Sequence, residues 1–195
     1  VEIKQIPYLK YYNVFHISQI EGVEPKEREE LYEVEPIEEA EKIKQDYIGR
    51  EHLVIKEKVT DRAFYSPSQD YIEIPCKEQY QHIEEYYSTL FHEAVHSTGH
   101  KSRLDRLQTG YNAHFGSETY SKEELTAEMG SAMIRNIIGI ETEKSFKNSS
   151  AYIKNWLQVL KNDNKFIVSA SGKAEKAVKY ILGCLLYTSP SPRDA

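Results

Sequence analysis

His92, Glu93 and His96 stand in the order H-E-x-x-H within the run Tyr86–His100. On an α-helix, residues four apart lie one above the other, about 6 Å apart along the axis. Both imidazoles can therefore converge on one small cation, and Glu93 is placed to act as the catalytic group on a water held there. Two imidazoles do not complete such a site, because a catalytic zinc ion takes three protein ligands and keeps one position for water. The downstream candidates are His100, His114, Glu123, Glu124 and Glu128. His100 follows Gly99, which stops the helix, and the third imidazole of the longer H-E-x-x-H-x-x-G-x-x-H pattern would have to stand where Ser102 is. His114 falls in a loop. Glu124 and Glu128 are four apart in a helical pattern and share a face. One can bind metal while the other orients an imidazole through its second ring nitrogen. Spacing alone leaves both assignments open, since Ser121-Lys122-Glu123-Glu124 also reads as a capping box that would occupy Glu124 and promote Glu128 to ligand. Glu123 points off that face, toward solvent.

The elements that must carry these groups are visible as changes of period. Tyr80, Ile83, Tyr87, Leu90, Phe91, Ala94, Val95 and Thr98 form an apolar stripe at three- and four-residue steps, ended by Gly99, so the motif sits on the last turns of an amphipathic helix. A second helix begins at Ser121, with Leu125, Met129, Ala132, Met133 and Ile137 on its apolar side, and ends at Gly139. Two more are expected near 149–161 and 166–182. Upstream, Pro36 opens a helix that runs through Ile37, Ala40, Ile43, Tyr47 and Ile48 to Gly49. Three short strands follow, Leu53-Val54-Ile55, Ala63-Phe64-Tyr65 and Tyr71–Pro75, the last two joined by a Ser66–Asp70 turn. The expected class is α+β, a small antiparallel sheet followed by the H-E-x-x-H helix and C-terminal helices.

A chain of 195 residues with 39% hydrophobic and 11% aromatic content buries one core and at most a small appendage. No apolar run approaches the ~20 residues of a membrane span, so no membrane partner is expected. The net charge of −6 argues against broad nucleic-acid binding by this stretch, although residues 141–195 carry nine basic and five acidic groups. Cys76 and Cys184 form neither a disulfide framework nor a zinc-finger spacing, which points to a reducing, cytoplasmic setting. Residues 1–20 are aromatic and β-branched, residues 21–35 acidic. The closing run Cys184–Ala195 resembles translated sequencing adapter and is expected not to be native.

The run Tyr86–His100, then Arg103-Leu104-x-Arg106, Phe115-Gly116, Tyr120, Glu123-Glu124-Leu125-x-Ala127-Glu128, Ala151-Tyr152-Ile153-x-x-Trp156-Leu157 and Ala174-x-x-Ala177 together resemble the ArdC-type antirestriction family. Its zincin-like metallopeptidase domain also occurs in polyvalent proteins of phages and conjugative elements. The resemblance covers about residues 8–183. It implies a division into 1–35, the tail of an N-terminal single-stranded-DNA-binding domain with an acidic linker; 36–183, the zincin-like domain; and 184–195, the adapter-like run. Tyr11-Tyr12-Asn13-Val14-Phe15 and Gln19-Ile20-Glu21-Gly22 belong to that tail.

By resemblance to glutamate zincins, His92, His96 and Glu124 bind Zn²⁺, and Glu128 backs a ligating imidazole or stands as the alternative ligand. Glu93 serves as general base in hydrolysing a peptide bond of a protein or peptide substrate. Tyr111, His114 and Tyr120 are the candidate donors to the oxyanion. In zincins a sheet edge lies along the substrate cleft, where a peptide could add as a strand. A reading of another class stands beside this one: a non-proteolytic antirestriction protein that binds single-stranded DNA or a host enzyme, with the metal structural.

Overall fold

A short central strand, Tyr71–Pro75, sets the arrangement. Ile72 and Ile74 are fully buried, whereas Tyr71, Glu73 and Pro75 are only partly covered, so the strand's two-residue period turns one apolar face inward. The structure, a computed structural model, describes residues 31–107, 118–140 and 164–183. These all lie in the second of the two units, Val1–Glu30 and Leu31–Ala195, into which the chain divides. Residues 1–30 of the tail and linker expected over 1–35, the expected loop with Tyr111 and His114, the helix expected at 149–161 and the adapter-like run lie outside the described residues.

The elements in order are α1 (Glu38–Glu51), β1 (Val54–Lys58), β2 (Phe64–Ser66), β3 (Tyr71–Pro75), a 3₁₀ turn (Lys77–Gln79), α2 (Ile83–Thr98), α3 (Glu118–Ile137) and α4 (Asn164–Ile181). The sheet order is β1-β3-β2. β2 pairs antiparallel with β3, as the turn between them requires, but β1 pairs parallel with β3, with Ile55 opposite Ile72. The expected antiparallel sheet is therefore mixed. The most apolar strand takes the centre, while β1, which leaves Val54 53% exposed, takes an edge. The 59–63 connection must then cross the end of β3. Gln79 holds it there, its Oε1 accepting from the Thr60 N–H at 3.2 Å and its Nε2 donating to the Thr60 carbonyl at 2.9 Å.

α1 runs past Gly49 and ends at His52, which adopts a left-handed φ of 52°. Three acidic residues in its first turn, Glu38, Glu39 and Glu41, suit the positive end of the helix dipole. α2 is the central helix, packed on β2 and β3 and on α3 and α4. Tyr86, Tyr87, Leu90, Phe91 and Val95 are essentially inaccessible to solvent. Gly99 ends α2 in ordinary right-handed geometry, φ −74°. Its requirement is space, since a Cβ there would stand 2.7 Å from Leu107 Cγ and 3.2 Å from Arg106 Nη2.

α3 starts at Glu118, three residues before the expected start, so Ser121 is an interior residue and not the N-cap of a capping box. Its burial is not confined to one stripe. Leu125, Ala127 and Ile134 are buried, but so are Ser121, Thr126 and Ser131, whereas Ile137 is 59% exposed. A helix packed on both α2 and α4 buries more than one side, and its small hydroxyls satisfy themselves on nearby carbonyls. Thr126 donates to the Lys122 carbonyl at 2.8 Å, and Ser131 to the Ser88 carbonyl on α2 at 2.8 Å.

Gly130 sets the distance between α2 and α3. A Cβ at this position would lie 2.7 Å from Val95 Cγ2, and Val95 is both fully buried and stiff at χ1. Gly130→Ala gains about 1 kcal/mol in helix propensity but overpacks this contact at a cost of about 1–3 kcal/mol. The net expectation is a lower thermal midpoint, accompanied by weaker metal binding because α2 and α3 carry the two halves of the site. An unchanged or raised midpoint in calorimetry would refute the close-approach argument.

Candidate metal centre

His92 and His96 project from α2 toward the first turns of α3. Their Nε2 atoms are 3.1 Å apart. Glu124 reaches both, with Oε2 3.5 Å from His92 Nε2 and Oε1 3.4 Å from His96 Nε2. One ligand atom from each of His92, His96 and Glu124 lies within 4.8 Å of the others, a group that could hold a metal ion. The fit can be tested from bond lengths. Tetrahedral zinc with bonds of about 2.0–2.1 Å separates its ligand atoms by about 3.3 Å; here the two Nε2 atoms are 3.1 Å apart, and each faces a different oxygen of Glu124, at 3.5 and 3.4 Å. The residues present fit such an ion.

The other ring nitrogens are also occupied. Glu128 Oε1 lies 3.4 Å from His92 Nδ1, and Glu123 Oε1 lies 3.2 Å from His96 Nδ1. Glu123 is thus buried at 7% exposure rather than solvated. Arg106 reaches it with a two-pronged pair, Nε to Oε2 at 2.8 Å and Nη2 to Oε1 at 2.7 Å. Helical phase accounts for the difference: Glu123 lies 100° from Glu124 around α3, but α2 and the turn following it cover that side too. The available signal was the Arg103-Leu104-x-Arg106 stretch, which reads in sequence as merely basic.

Burial opposes protonation of both imidazoles, but their carboxylate partners outweigh it. His92 is raised well above its ordinary value by Glu124 and Glu128, and His96 to about 9 by Glu123 and Glu124. Burial likewise pushes the carboxyls up, yet His92 and His96 hold Glu124 below the usual carboxylate range, and Arg106 and His96 do the same for Glu123. The donor set demands positive charge between its members, which a divalent cation supplies in competition with protons.

Glu93 is 7% exposed. No hydrogen bond to its carboxylate is made among the described residues. It opens instead on a cleft of about 350 Å³, lined by Ala63, Phe64, Tyr65 and Pro67 from β2 and its turn, His92, Glu93 and His96 from α2, Leu107, and Tyr120, Glu123 and Glu124 from α3. Tyr120 is thereby brought to the site. His100 is turned elsewhere, its Nδ1 sharing a hydrogen bond with Ser102 Oγ at 2.7 Å.

An α+β fold whose H-E-x-x-H helix meets a glutamate from the next helix, beside a short sheet, defines a zincin-like metallopeptidase domain. Residues 41–173 match the zincin-like metallopeptidase family, and the chain belongs to it. It is homologous to the ArdC antirestriction proteins. It is similar to the Mn(II)-bound antirestriction ArdC protein of the R388 plasmid, with 32% identity, a TM-score of 0.57, and coverage of 94% of this chain and 67% of that one. Against the metal-free form of that protein the identity is 36% and the TM-score 0.57, over 91% of this chain and 61% of the other. Among curated proteins, a DNA primase TraC of Escherichia coli is 43% identical over 123 residues, 63% of this chain but 11% of the primase. The Sinorhizobium fredii protein y4eC is 35% identical over 120 residues, 62% of this chain and 38% of that protein. The chain therefore spans about a tenth of the primase it matches. No helix among the described residues is long and apolar enough to cross a membrane.

Proposed function

We propose that this chain is the metal-dependent hydrolytic part of an ArdC-like antirestriction protein of a mobile element, acting on a peptide bond. His92, His96 and Glu124 hold one divalent cation, Zn²⁺ by the character of two imidazoles and a carboxylate, and Glu93 is the catalytic base. One observation carries the reading: three donor groups converge within 4.8 Å beside a buried carboxylate that no described residue hydrogen-bonds. Bound Zn²⁺ supplies Lewis acidity toward a carbonyl oxygen and acidifies a water. Glu93 is the group that would accept a proton from the attacking water and return it to the leaving amine. Glu128 and Glu123 keep a proton on each Nδ1, so that both Nε2 lone pairs face inward. Tyr120 stands on the cleft wall as a donor to the oxyanion, with Tyr111 and His114 as the other candidates. β2, an edge strand along the cleft, offers the backbone on which an extended protein segment adds as a strand. The setting is cytoplasmic, and single-stranded DNA is held by the N-terminal part of the full protein.

The test is metal content and hydrolysis on the purified chain. About one zinc per chain, with cleavage of an unstructured protein substrate abolished by a chelator and restored by Zn²⁺, is expected; a chain without stoichiometric metal overturns the proposal. Glu124→Ala is expected to strip the metal. Glu128→Ala should weaken binding only about 10- to 100-fold, the usual cost of losing a group behind a ligand. The reverse order in elemental analysis and chelator competition would make Glu128 the ligand.

A second reading is favoured by the R388 relative, an antirestriction protein known in Mn(II)-bound and metal-free forms. Here the domain binds DNA or a host enzyme and the metal serves structure. Protection of DNA against restriction by the Glu93→Gln protein separates the two, since only the second reading retains it.

A further inference from the structure

Arg106 belongs to neither the candidate metal ligands nor the carboxylates that contact them directly from behind, yet it is built into the centre. Its side chain is 9% exposed and makes four polar contacts. Two go to Glu123, at 2.8 and 2.7 Å. The other two go to the last turn of α2, with Nη2 donating to the Val95 carbonyl at 2.8 Å and Nη1 to Thr98 Oγ1 at 3.0 Å. Val95 immediately precedes His96. The guanidinium therefore fixes the carboxylate of α3 to the same turn of α2 that carries the imidazole this carboxylate orients. Gly99 leaves the room, since a Cβ there would sit 3.2 Å from Arg106 Nη2.

We infer that Arg106 is a positioning residue for the metal centre, acting through Glu123 on His96. The inference rests on the metal-site reading given above. Glu123 uses Oε1 for both Arg106 and His96 Nδ1, at 2.7 and 3.2 Å. The shorter, two-pronged pair anchors the carboxylate, and the imidazole takes its orientation from an oxygen already held. The cation also draws charge from that oxygen, which tempers how strongly His96 is pushed toward its partner. His92 is treated differently, because Glu128 contacts its Nδ1 at 3.4 Å and has no cation partner among the described residues. The two imidazoles thus meet a metal from unequal backing: Glu128 alone on one, an arginine-held Glu123 on the other.

A purely architectural role for the Arg106–Glu123 pair predicts a different result when both charges are removed together, because a buried pair replaced as a unit often leaves stability unchanged. The experiment uses the full chain as parent, Arg106→Lys, Glu123→Gln and the double variant Arg106→Met/Glu123→Gln. Zn²⁺ affinity is read by chelator competition and ligand geometry by the visible spectrum of the Co²⁺-loaded protein. Glu123→Gln is expected to weaken Zn²⁺ binding by about 10- to 100-fold. Arg106→Lys keeps the charge but loses the fork, and should shift the Co²⁺ spectrum with a smaller loss of affinity. The double variant, folded like the parent by circular dichroism, should remain weak. A double variant with the parent's affinity and spectrum would show that the pair only holds the fold, and an Arg106→Lys protein identical to the parent in both would remove Arg106 from the centre. A parent chain that takes up no metal would overturn this inference together with the metal-site reading.

Discussion

Glu93→Gln is expected to keep about one metal ion per chain while peptide hydrolysis falls by about 10²- to 10⁴-fold, the usual contribution of a positioned general base. The substitution keeps the shape of the side chain and removes only its ability to accept a proton. The groups that could hold the ion are His92, His96 and Glu124, and no described residue hydrogen-bonds to Glu93, so its neutralisation leaves no partner stranded. Burial of the new amide at a position only 7% exposed is eased by the cleft on which it opens. The check is a paired measurement, elemental analysis for metal and cleavage of a protein substrate for turnover. Retained cleavage would remove Glu93 from the base role and with it the proposed mechanism.

Arg103→Met is expected to cost about 3 kcal/mol, the lower end for breaking a buried pair, because the guanidinium is buried while the carboxylates it neutralises, Glu51 and Asp70, are only partly so. Arg103 is 1% exposed and joins three parts of the fold. It forks onto Asp70 of the β2–β3 turn at 2.8 and 3.0 Å, reaches Glu51 at the end of α1 at 3.1 Å, and donates to the Ser97 carbonyl on α2 at 3.0 Å. Tyr65 and Tyr180 extend the network, donating to Asp70 at 2.8 Å and to Glu51 at 2.9 Å. For a domain of this size the loss corresponds to a fall of about 10 °C in thermal midpoint. A midpoint within two or three degrees of the parent would contradict it.

The same network sets a pH dependence. Burial favours the neutral acid at Asp70, but Arg103 and Tyr65 outweigh it and hold the group below the usual carboxylate range. A depressed folded-state pKa contributes stability that is present above the unfolded value of ~3.9 and is lost as pH falls through the folded one. Parent stability should therefore decline through that acid window, and less steeply once Arg103 is gone, as unfolding curves at stepped pH would show.

What the sequence settles here is local. The H-E-x-x-H pair needs only one helix, since residues four apart stack on any α-helix, and the apolar stripe from Tyr80 to Thr98 is sufficient to call for one. The three strands are equally local, as is the pairing of β2 with β3 across a turn of four residues, 67–70. The resemblance carried by the Tyr86–His100 run and the Glu123–Glu128 run extended this to the family, because the spacing within each run is fixed by a single element.

Contacts between elements were beyond that reach. The parallel pairing of β1 with β3 depends on which strand takes the centre. Ser121 lost its capping role because α3 begins a turn earlier, at Glu118. Which nitrogen each carboxylate meets depends on how α2 and α3 cross, and that crossing is set by the Gly130–Val95 approach, where a Cβ would stand at 2.7 Å. Glu123 lies 27 residues from His96 and Arg106 lies 17 from Glu123. A one-dimensional period predicts which face of a helix is apolar; it does not say that α3 is packed from two sides, so that an acid off the expected face is buried as well. The chain thus determined its pair of imidazoles and the carboxylate between them. Only tertiary structure decided that Glu124 faces both imidazoles, that Glu128 and Glu123 stand behind one each, and that an arginine holds the second.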